Sequence, residues 1–316
     1  MRFSVIIPLY NKAPYVQKAL ESVFMQSFRD FELIVIDDGS RDNSLSVAEE
    51  VMKSSSVDCR LIHQDNAGVS VTRNRGVSAS QGDYICFLDA DDWWEPSYME
   101  EMDSLIRDFP DAGLYGTSYT IVNTIKNKTR VASIGVEKDF QRGYIDYFQV
   151  YAQGLHMPIW TGAACVPRDI FEAVQGFNPE LKMGEDFDLW VRIALNQKVA
   201  LLNEPLSNYN QDVSPFNRAI GSLPPPETQF AFRADYLLEA KENNAILKYT
   251  VEMVQIVCLR NYYLSKAYHE RAKEVLSGLD IDAHKSKAYA RYLYHPIWVV
   301  LLKERLYGFI RQWLVK

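Results

Sequence analysis

The stretch Gly82-Asp-Tyr-Ile-Cys-Phe-Leu-Asp-Ala-Asp-Asp92 constrains this chain more than any other. Tyr84 to Leu88 is a short, almost purely apolar run. It is too short for a typical helix and reads as a strand buried on both faces. It runs without a spacer into three carboxylates, Asp89, Asp91 and Asp92. In an open α/β sheet, ligands bind outside the carboxyl ends of the strands. Carboxylates clustered there repel one another and are costly to desolvate. A hard cation, Mg²⁺ or Mn²⁺ shared with a phosphate, neutralises them most readily. One Asp alone would read equally well as a solvated turn. The Asp-x-Asp-Asp cluster points to a metal–phosphate site.

The preceding segments predict the rest of that sheet. Phe3-Ser-Val-Ile-Ile-Pro-Leu9 reads as a first strand, with Pro8 near its end because proline removes a ladder donor. Tyr10-Asn-Lys-Ala-Pro14 is then a turn. Tyr15, Val16, Ala19, Leu20, Val23 and Phe24 fall at helical spacing. Phe31-Glu-Leu-Ile-Val-Ile36 is a second strand, ending in Asp37-Asp-Gly-Ser40. A helix through Ser44 to Lys53 leads to a third strand at Arg60-Leu-Ile-His63. This alternation predicts right-handed βαβ units and a mostly parallel sheet, an α/β fold. Asp37/Asp38 and Asp89/Asp91/Asp92 then lie on one edge of it. An acidic residue ending the second strand of such a unit commonly bonds a ribose or base. Between the two carboxylate groups lies Asn66-Ala-Gly-Val-Ser-Val-Thr-Arg-Asn-Arg-Gly76. A turn at Gly68 and a helix from Val69 bring Arg73 within reach of the acidic edge, where a cation offsets carboxylate or phosphate charge. Arg75 reads as a solvated helix residue.

Composition narrows the function. Residues 1–226 hold 20 Lys/Arg against 31 Asp/Glu, and residues 227–316 hold 14 against 10. An acidic front argues against a nucleic-acid partner. The basic rear suggests a surface that meets something anionic. The four cysteines, Cys59, Cys86, Cys165 and Cys258, have no metal-ligand spacing. They read as thiols of a reducing, cytoplasmic compartment. Phe3 to Leu9 is too short for a signal-peptide core, and no apolar run is long enough to span a bilayer. Neither G-x-G-x-x-G nor G-x-x-x-x-G-K-[ST] occurs, which disfavours a dinucleotide dehydrogenase or a P-loop enzyme.

Five motifs in order resemble family 2 glycosyltransferases. They are Ser4-Val-Ile-Ile-Pro-Leu-Tyr-Asn11, Asp37-Asp-Gly-Ser40, Asn66-x-Gly68 with Arg73-Asn74-x-Gly76, Phe87-Leu-Asp-Ala-Asp-Asp92, and Gly176-Phe177 followed by Gly184-Glu-Asp-Phe-Asp-Leu-Trp-Val-Arg192. The resemblance covers roughly residues 3–212 and implies an inverting transferase with the GT-A fold. It implies a nucleotide-diphosphate sugar, a UDP-sugar first of all, as donor, and a hydroxyl of a glycan or lipid-linked acceptor. By the same resemblance Tyr10 stacks on the base, and the Pro8 backbone approaches it. Asp38 bonds base or ribose, and Asn66 and Arg73 stand near the nucleotide. Asp89 contacts ribose or donor sugar, and Asp91 holds Mn²⁺ or Mg²⁺. Asp186 is the general base, and Glu185 and Trp190 line the acceptor site. By sequence alone Asp186 reads first as a helix N-cap; the resemblance reverses that order. One departure stands out. Family members often carry a metal-binding His after the last strand, where this chain reads Leu206-Ser-Asn-Tyr-Asn-Gln-Asp212, so Gln211, Asp212 or water would substitute. The missing His leaves a rival reading, a catalytically degenerate GT-A domain that binds a nucleotide sugar or glycan.

Gly221-Ser-Leu-Pro-Pro-Pro226 marks the boundary between a transferase domain, 1–222, and a helical region, 223–316. The Tyr-rich clusters of that region, Tyr262-Tyr263 and Tyr289 to Tyr294, read most simply as packing surface against the core, with an acceptor groove as the alternative. In 296–316, Trp298, Leu302, Leu306, Phe309 and Trp313 form one helical stripe flanked by Lys303, Arg305, Arg311 and Lys316. Such a helix suits peripheral contact with an anionic membrane, and equally a terminal helix docked on the protein.

Overall fold

The structure is a computed structural model and describes residues 1–124, 128–154, 156–212, 223–295, 299, 300 and 302. It divides into two compact units, Met1–Gly221 and Ser222–Lys316.

The first unit opens with β1 (Phe3–Leu9), α1 (Val16–Phe24), β2 (Phe31–Asp38), α2 (Ser44–Lys53), β3 (Asp58–Gln64), α3 (Val69–Ser78) and β4 (Tyr84–Phe87). It continues through β5 (Trp93–Trp94), α4 (Tyr98–Asp108), β6 (Ala112–Asn123), β7 (Lys128–Val131), β8 (Arg142–Ile145) and α5 (Tyr147–Gln153). It closes with β9 (Ala164–Pro167), α6 (Arg168–Ala173), α7 (Glu185–Ala194) and β10 (Lys198–Asn210). One sheet runs β3-β2-β1-β4-β9-β6-β10-β5, with β7 on β6 and β8 on β10. The parallel ladders β3-β2-β1-β4 and β6-β10 carry most of the paired residues. The reversed strand β9 joins them, antiparallel to both β4 and β6. No alternating pattern announces β9, because all but the last of its four residues, Ala164-Cys-Val-Pro167, are buried.

This is an α/β fold whose chain reverses direction of growth at β1, with β2 on one side and β4 on the other. The crevice at such a switch point is where ligands bind in open α/β sheets. Pro8 fits β1 for a specific reason. The β4 ladder ends at Ile6↔Phe87, so the missing proline N–H breaks no bond on that side. The strands expected to be apolar are so because both faces are covered. Val5, Ile7, Leu33, Val35, Cys86 and Leu88 are all fully buried with the inner faces of α1 and α4.

The second unit has α8 (Leu238–Asn243), α9 (Ala245–Tyr263) and α10 (His269–Ser277). Asn244 caps α9 by accepting from the Leu247 N–H at 2.9 Å. Its core joins Ile256, Leu259 and Tyr262 of α9 to Ala272, Leu276 and Tyr292. The two buried tyrosines donate to backbone carbonyls, Tyr262 to Pro224 at 2.7 Å and Tyr292 to Ile256 at 2.8 Å. These tyrosines are packing residues. The apolar stripe with its basic flanks at 296–316 falls outside the described residues, except for Val299, Val300 and Leu302. No described helix is long and apolar enough to cross a membrane.

Candidate active site at the carboxyl edge of the sheet

Three loops meet beyond the ends of β1, β2 and β4. Asp38, the last residue of β2, spends both carboxylate oxygens on the loop before α3. Oδ1 accepts from Gln64 Nε2 at 2.7 Å and from the Ala67 N–H at 2.8 Å. Oδ2 accepts from the Gly68 N–H at 2.9 Å and from Asn66 Nδ2 at 3.1 Å. Gly39, at φ +71°, lies with its Cα face against the Asn66 backbone, leaving no room for a Cβ. The Asp-Asp-Gly-Ser and Asn-x-Gly motifs are therefore one interlocked structure. Asp37 is fully buried and accepts from His63 at 2.7 Å, its strand partner in β3. Tyr10 follows β1 half-buried, beside Asn11, whose Oδ1 accepts from the Arg41 N–H at 2.8 Å.

The three carboxylates after β4 have three different partners. Asp89 accepts from Arg73 at 2.7 Å. Asp91 is paired with Lys12, Nζ to Oδ2 2.6 Å. Asp92 is buried and accepts from Trp160 Nε1 at 2.9 Å and from the Asn210 N–H at 2.8 Å. Burial pushes Asp91 up, with Asp89 adding and Lys12 opposing. Burial pushes Asp92 well up, with Asp91 and Asp89 adding.

Arg73 ties this edge to α7. It is 3% exposed and donates to Glu185 Oε1 at 3.0 Å as well as to Asp89. Its guanidinium lies 5.0 Å from the centre of the Phe177 ring. Burial opposes its charge, but Asp89 and Glu185 outweigh that and hold its pKa above the ordinary value. Glu185 is driven by burial, and further by Asp186, up to about 7.

The N-cap of α7 is Gly184 in the left-handed region at φ +78°, not Asp186. Asp186 is the second helical residue. Its Oδ1 accepts from the Phe187 N–H at 2.7 Å and its Oδ2 from Thr161 Oγ1 at 3.2 Å. Burial raises its pKa. Thr161 is itself fixed. The next carbonyl, of Gly162, accepts from Trp94 Nε1 at 2.6 Å and Ser207 Oγ at 2.7 Å.

One expectation changes here. Trp190, expected to line an acceptor site, is completely buried and packs edge-on against Phe177 with ring centres 6.3 Å apart. It is a core residue of α7, on the face turned from solvent. Glu185, also expected toward an acceptor, is an ion-pair partner of Arg73. Sequence reasoning missed Lys12, Thr161 and Trp160. Lys12 carried a signal: it is the one cation in the turn after β1, beside an acidic edge. Thr161 and Trp160 carried none, since they reach the site from a loop far along the chain.

The donor chemistry can be compared with what a divalent cation requires. Asp89 and Asp92 are already bonded, and Asp212 accepts from the N–H and hydroxyl of Thr124 at 2.7 and 2.6 Å. Among the described residues no group of three or more His, Cys, Asp or Glu side chains could hold a metal ion. Asp91 suits an ion completed by diphosphate oxygens and water, as is common for Mg²⁺. The same residues do not suit a closed, all-protein site.

Strand-end carboxylates thus rim the switch-point crevice of an α/β sheet, and they face a helix that begins with two more. Solved structures share the fold. S. aureus TarS 1–349 in complex with UDP-GlcNAc aligns with a TM-score of 0.63 at 18% identity, covering 92% of this chain and 75% of that one. The mannosyltransferase PcManGT from Pyrobaculum calidifontis, in complex with GDP-Man and Mn²⁺, aligns with a TM-score of 0.57 at 18% identity, covering 99% of this chain and 82% of that one. The family model for glycosyl transferase family 2 matches residues 4–174, and the chain belongs to that family. Among curated relatives, glycosyltransferase GlyA of Streptococcus pneumoniae is 35% identical over 121 residues, which is 38% of this chain and 17% of that one. The uncharacterized glycosyltransferase YibD of Escherichia coli is 43% identical over 101 residues, 32% of this chain and 29% of that one. The matched stretch thus spans less than a third of either relative's length.

One prediction arises from the Glu185–Asp186 pair. Both carboxyls are raised, so they hold protons in a range where free carboxylates have lost them. Activity that needs a deprotonated pair rises with pH and levels off above about 7, the value to which Glu185 is pushed. The limb belongs to the pair rather than to either residue. In Glu185→Gln the neighbouring charge is gone and the limb moves to lower pH. A pH profile of kcat/KM for both proteins checks this; superimposable acid limbs would contradict it. The stability sign is opposite. A raised folded-state pKa means the folded protein binds the extra proton, so Glu185 contributes less stability as pH rises toward 7.

Proposed function

We propose that the protein is an inverting glycosyltransferase. It moves a sugar from a UDP-sugar to a hydroxyl of a glycan or lipid-linked acceptor, using a divalent metal at Asp91. The observation that carries this reading is Arg73, which binds Asp89 at the β4 end and Glu185 at the start of α7. It couples the strand edge that would hold donor to the helix end that would meet acceptor. The nucleotide-sugar complexes of TarS and PcManGT support the choice of donor class.

In this reading Tyr10 and the Pro8 backbone flank the base. Asp38 keeps the Asn66–Gly68 loop in place beside it, and Asp89 faces ribose or sugar. Asp186 accepts the acceptor hydroxyl proton on the side opposite the leaving diphosphate, as an in-line inverting displacement requires. Its raised pKa brings it toward neutrality, where a base serves best. Thr161 orients it. A metal, when bound, supplies Lewis-acid stabilisation of the departing diphosphate.

The test is a screen of nucleotide sugars with Mn²⁺, measuring donor hydrolysis and thermal shift. A UDP-sugar is expected to stabilise the protein and to be turned over when an acceptor is added. Asp91→Asn is expected to lose most Mn²⁺-dependent UDP binding while keeping its fold. Unchanged metal-dependent binding in that variant, by calorimetry, would refute the role of Asp91. Binding without turnover across donors and acceptors would favour the degenerate binding module.

A further inference from the structure

Asp92 is buried and spends its two carboxylate oxygens on two distant parts of the chain. Oδ2 accepts from Trp160 Nε1 at 2.9 Å, and Oδ1 accepts from the Asn210 N–H at the end of β10 at 2.8 Å. Its own N–H donates to the Asp89 carbonyl at 3.0 Å and closes the turn that carries Asp91. The Trp160 ring lies beside that of Tyr209, the residue before Asn210, with centres 4.2 Å apart. Thr161, next after Trp160, is buried and donates from Oγ1 to Asp186 Oδ2 at 3.2 Å. Thr161 is clamped from both sides. Trp94 Nε1 and Ser207 Oγ hold the Gly162 carbonyl after it, and Asp92 holds Trp160 before it. The packing is close: a Cβ on Gly162 would stand 3.3 Å from Trp160 Cδ1 and 3.4 Å from Asp92 Oδ2. One side chain thus joins the carboxylate turn after β4 to the loop that touches Asp186.

We infer that Asp92 is a positioning residue for Asp186, acting through Trp160 and Thr161. A hydroxyl orients a carboxylate only if its own backbone is held, and the Asp92–Trp160 bond holds Thr161 on its N-terminal side. A carboxylate suits this task. Two N–H donors arrive from different directions, and it offers an acceptor to each. A carboxamide offers one oxygen and turns its own N–H₂ toward the other donor. Because Asp92 is buried, bulk water does not make good a lost bond. The turn that would hold metal and donor therefore also fixes the carboxylate that would meet acceptor, and the two halves of the site are built as one unit. This rests on reading Asp186 as the base of a sugar transfer.

The experiment follows the titration of the Asp186 carboxyl carbon by carbon-13 NMR in the full chain labelled at aspartate, with the signal assigned by its loss in Asp186→Asn. Thr161→Val removes a donor that favours the charged carboxylate, so the midpoint is expected to rise by about one pH unit. Trp160→Phe and Asp92→Asn are each expected to move it in the same direction. The variant carrying both changes is expected to move it no further than the larger single change, because the two act through one bond. The direction is diagnostic, since removing a negative charge at Asp92 would by itself lower the midpoint. Glu185, Arg73, Asp89, Tyr119 and Tyr147 also act on Asp186, from α7, α3, the turn after β4, β6 and α5, and all five stay in place. In the same variants kcat is expected to fall about tenfold or more, the scale of a misplaced catalytic group, with the calorimetric affinity for UDP in Mn²⁺ unchanged. Circular dichroism melts establish that each variant is folded. A midpoint unmoved in Trp160→Phe and Asp92→Asn would overturn the inference. So would shifts that add in the double variant, or a loss of UDP affinity that accounts for the whole loss of turnover. If the midpoint moves as expected but no protein transfers sugar, the reading of Asp186 as base fails and its positioning by Asp92 stands.

Discussion

Asp186→Asn is expected to lower turnover by about 10²-fold or more, the scale of a lost general base, while leaving UDP-sugar binding nearly unchanged. The substitution keeps the shape of the side chain. The amide oxygen can still accept from the Phe187 N–H, and Thr161 Oγ1 remains as a neighbour of the other position. Only the capacity to take a proton is removed. The competing role, a helix cap, is disfavoured by position, since Gly184 is the N-cap and Asp186 lies inside α7. Its charge still favours the positive end of the helix, an effect of about 0.3–1 kcal/mol at most surface sites. A small stability change is thus expected alongside a large loss of turnover. The measurements are steady-state kinetics and urea unfolding on the same preparation. A variant that unfolds far earlier yet turns over normally per folded molecule would assign Asp186 to structure.

The strand-end carboxylates were legible in sequence because their pattern is local. Tyr84 to Leu88 must be buried, and nothing separates it from Asp89. Their division of labour was not legible. Asp89, Asp91 and Asp92 look alike in sequence, but their partners come from Arg73, Lys12 and Trp160, which only the sheet order brings together. The same limit explains Trp190. A tryptophan in a polar motif resembles a binding residue, and only the packing of α7 shows that it faces Phe177. Strand β9 was missed for the reason its neighbours were found. Continuous apolar runs report burial, and Ala164-Cys-Val is too brief for a run to distinguish strand from turn. The Asp38 interlock lies between these cases. Both motifs were visible, but that one serves as the scaffold of the other required the four hydrogen bonds.

Arg73→Met should produce the largest loss of stability of any single change at this edge. Arg73 is 3% exposed and bonds both Asp89 and Glu185. Methionine fills comparable space against Phe177 but leaves two shielded carboxylates without their cation. Breaking a buried pair by removing one partner typically costs about 3–5 kcal/mol. The sign of the pH dependence separates this cause from lost packing. Without Arg73, Glu185 loses a cation that opposes the rise of its pKa, so its folded-state value stands still further above the unfolded one. Protonation then favours the folded state, so the variant regains stability as pH falls through that raised value. The gap to wild type should narrow between neutral and mildly acidic pH in urea titrations followed by tryptophan fluorescence. Adding Glu185→Gln should return part of the loss at neutral pH by removing one of the stranded charges. Arg73→Lys should recover little, because a single ammonium lacks the planar fork that serves two carboxylates in different directions. A gap independent of pH, with no return from Glu185→Gln, would place the loss in packing against Phe177 instead of in the charge bridge.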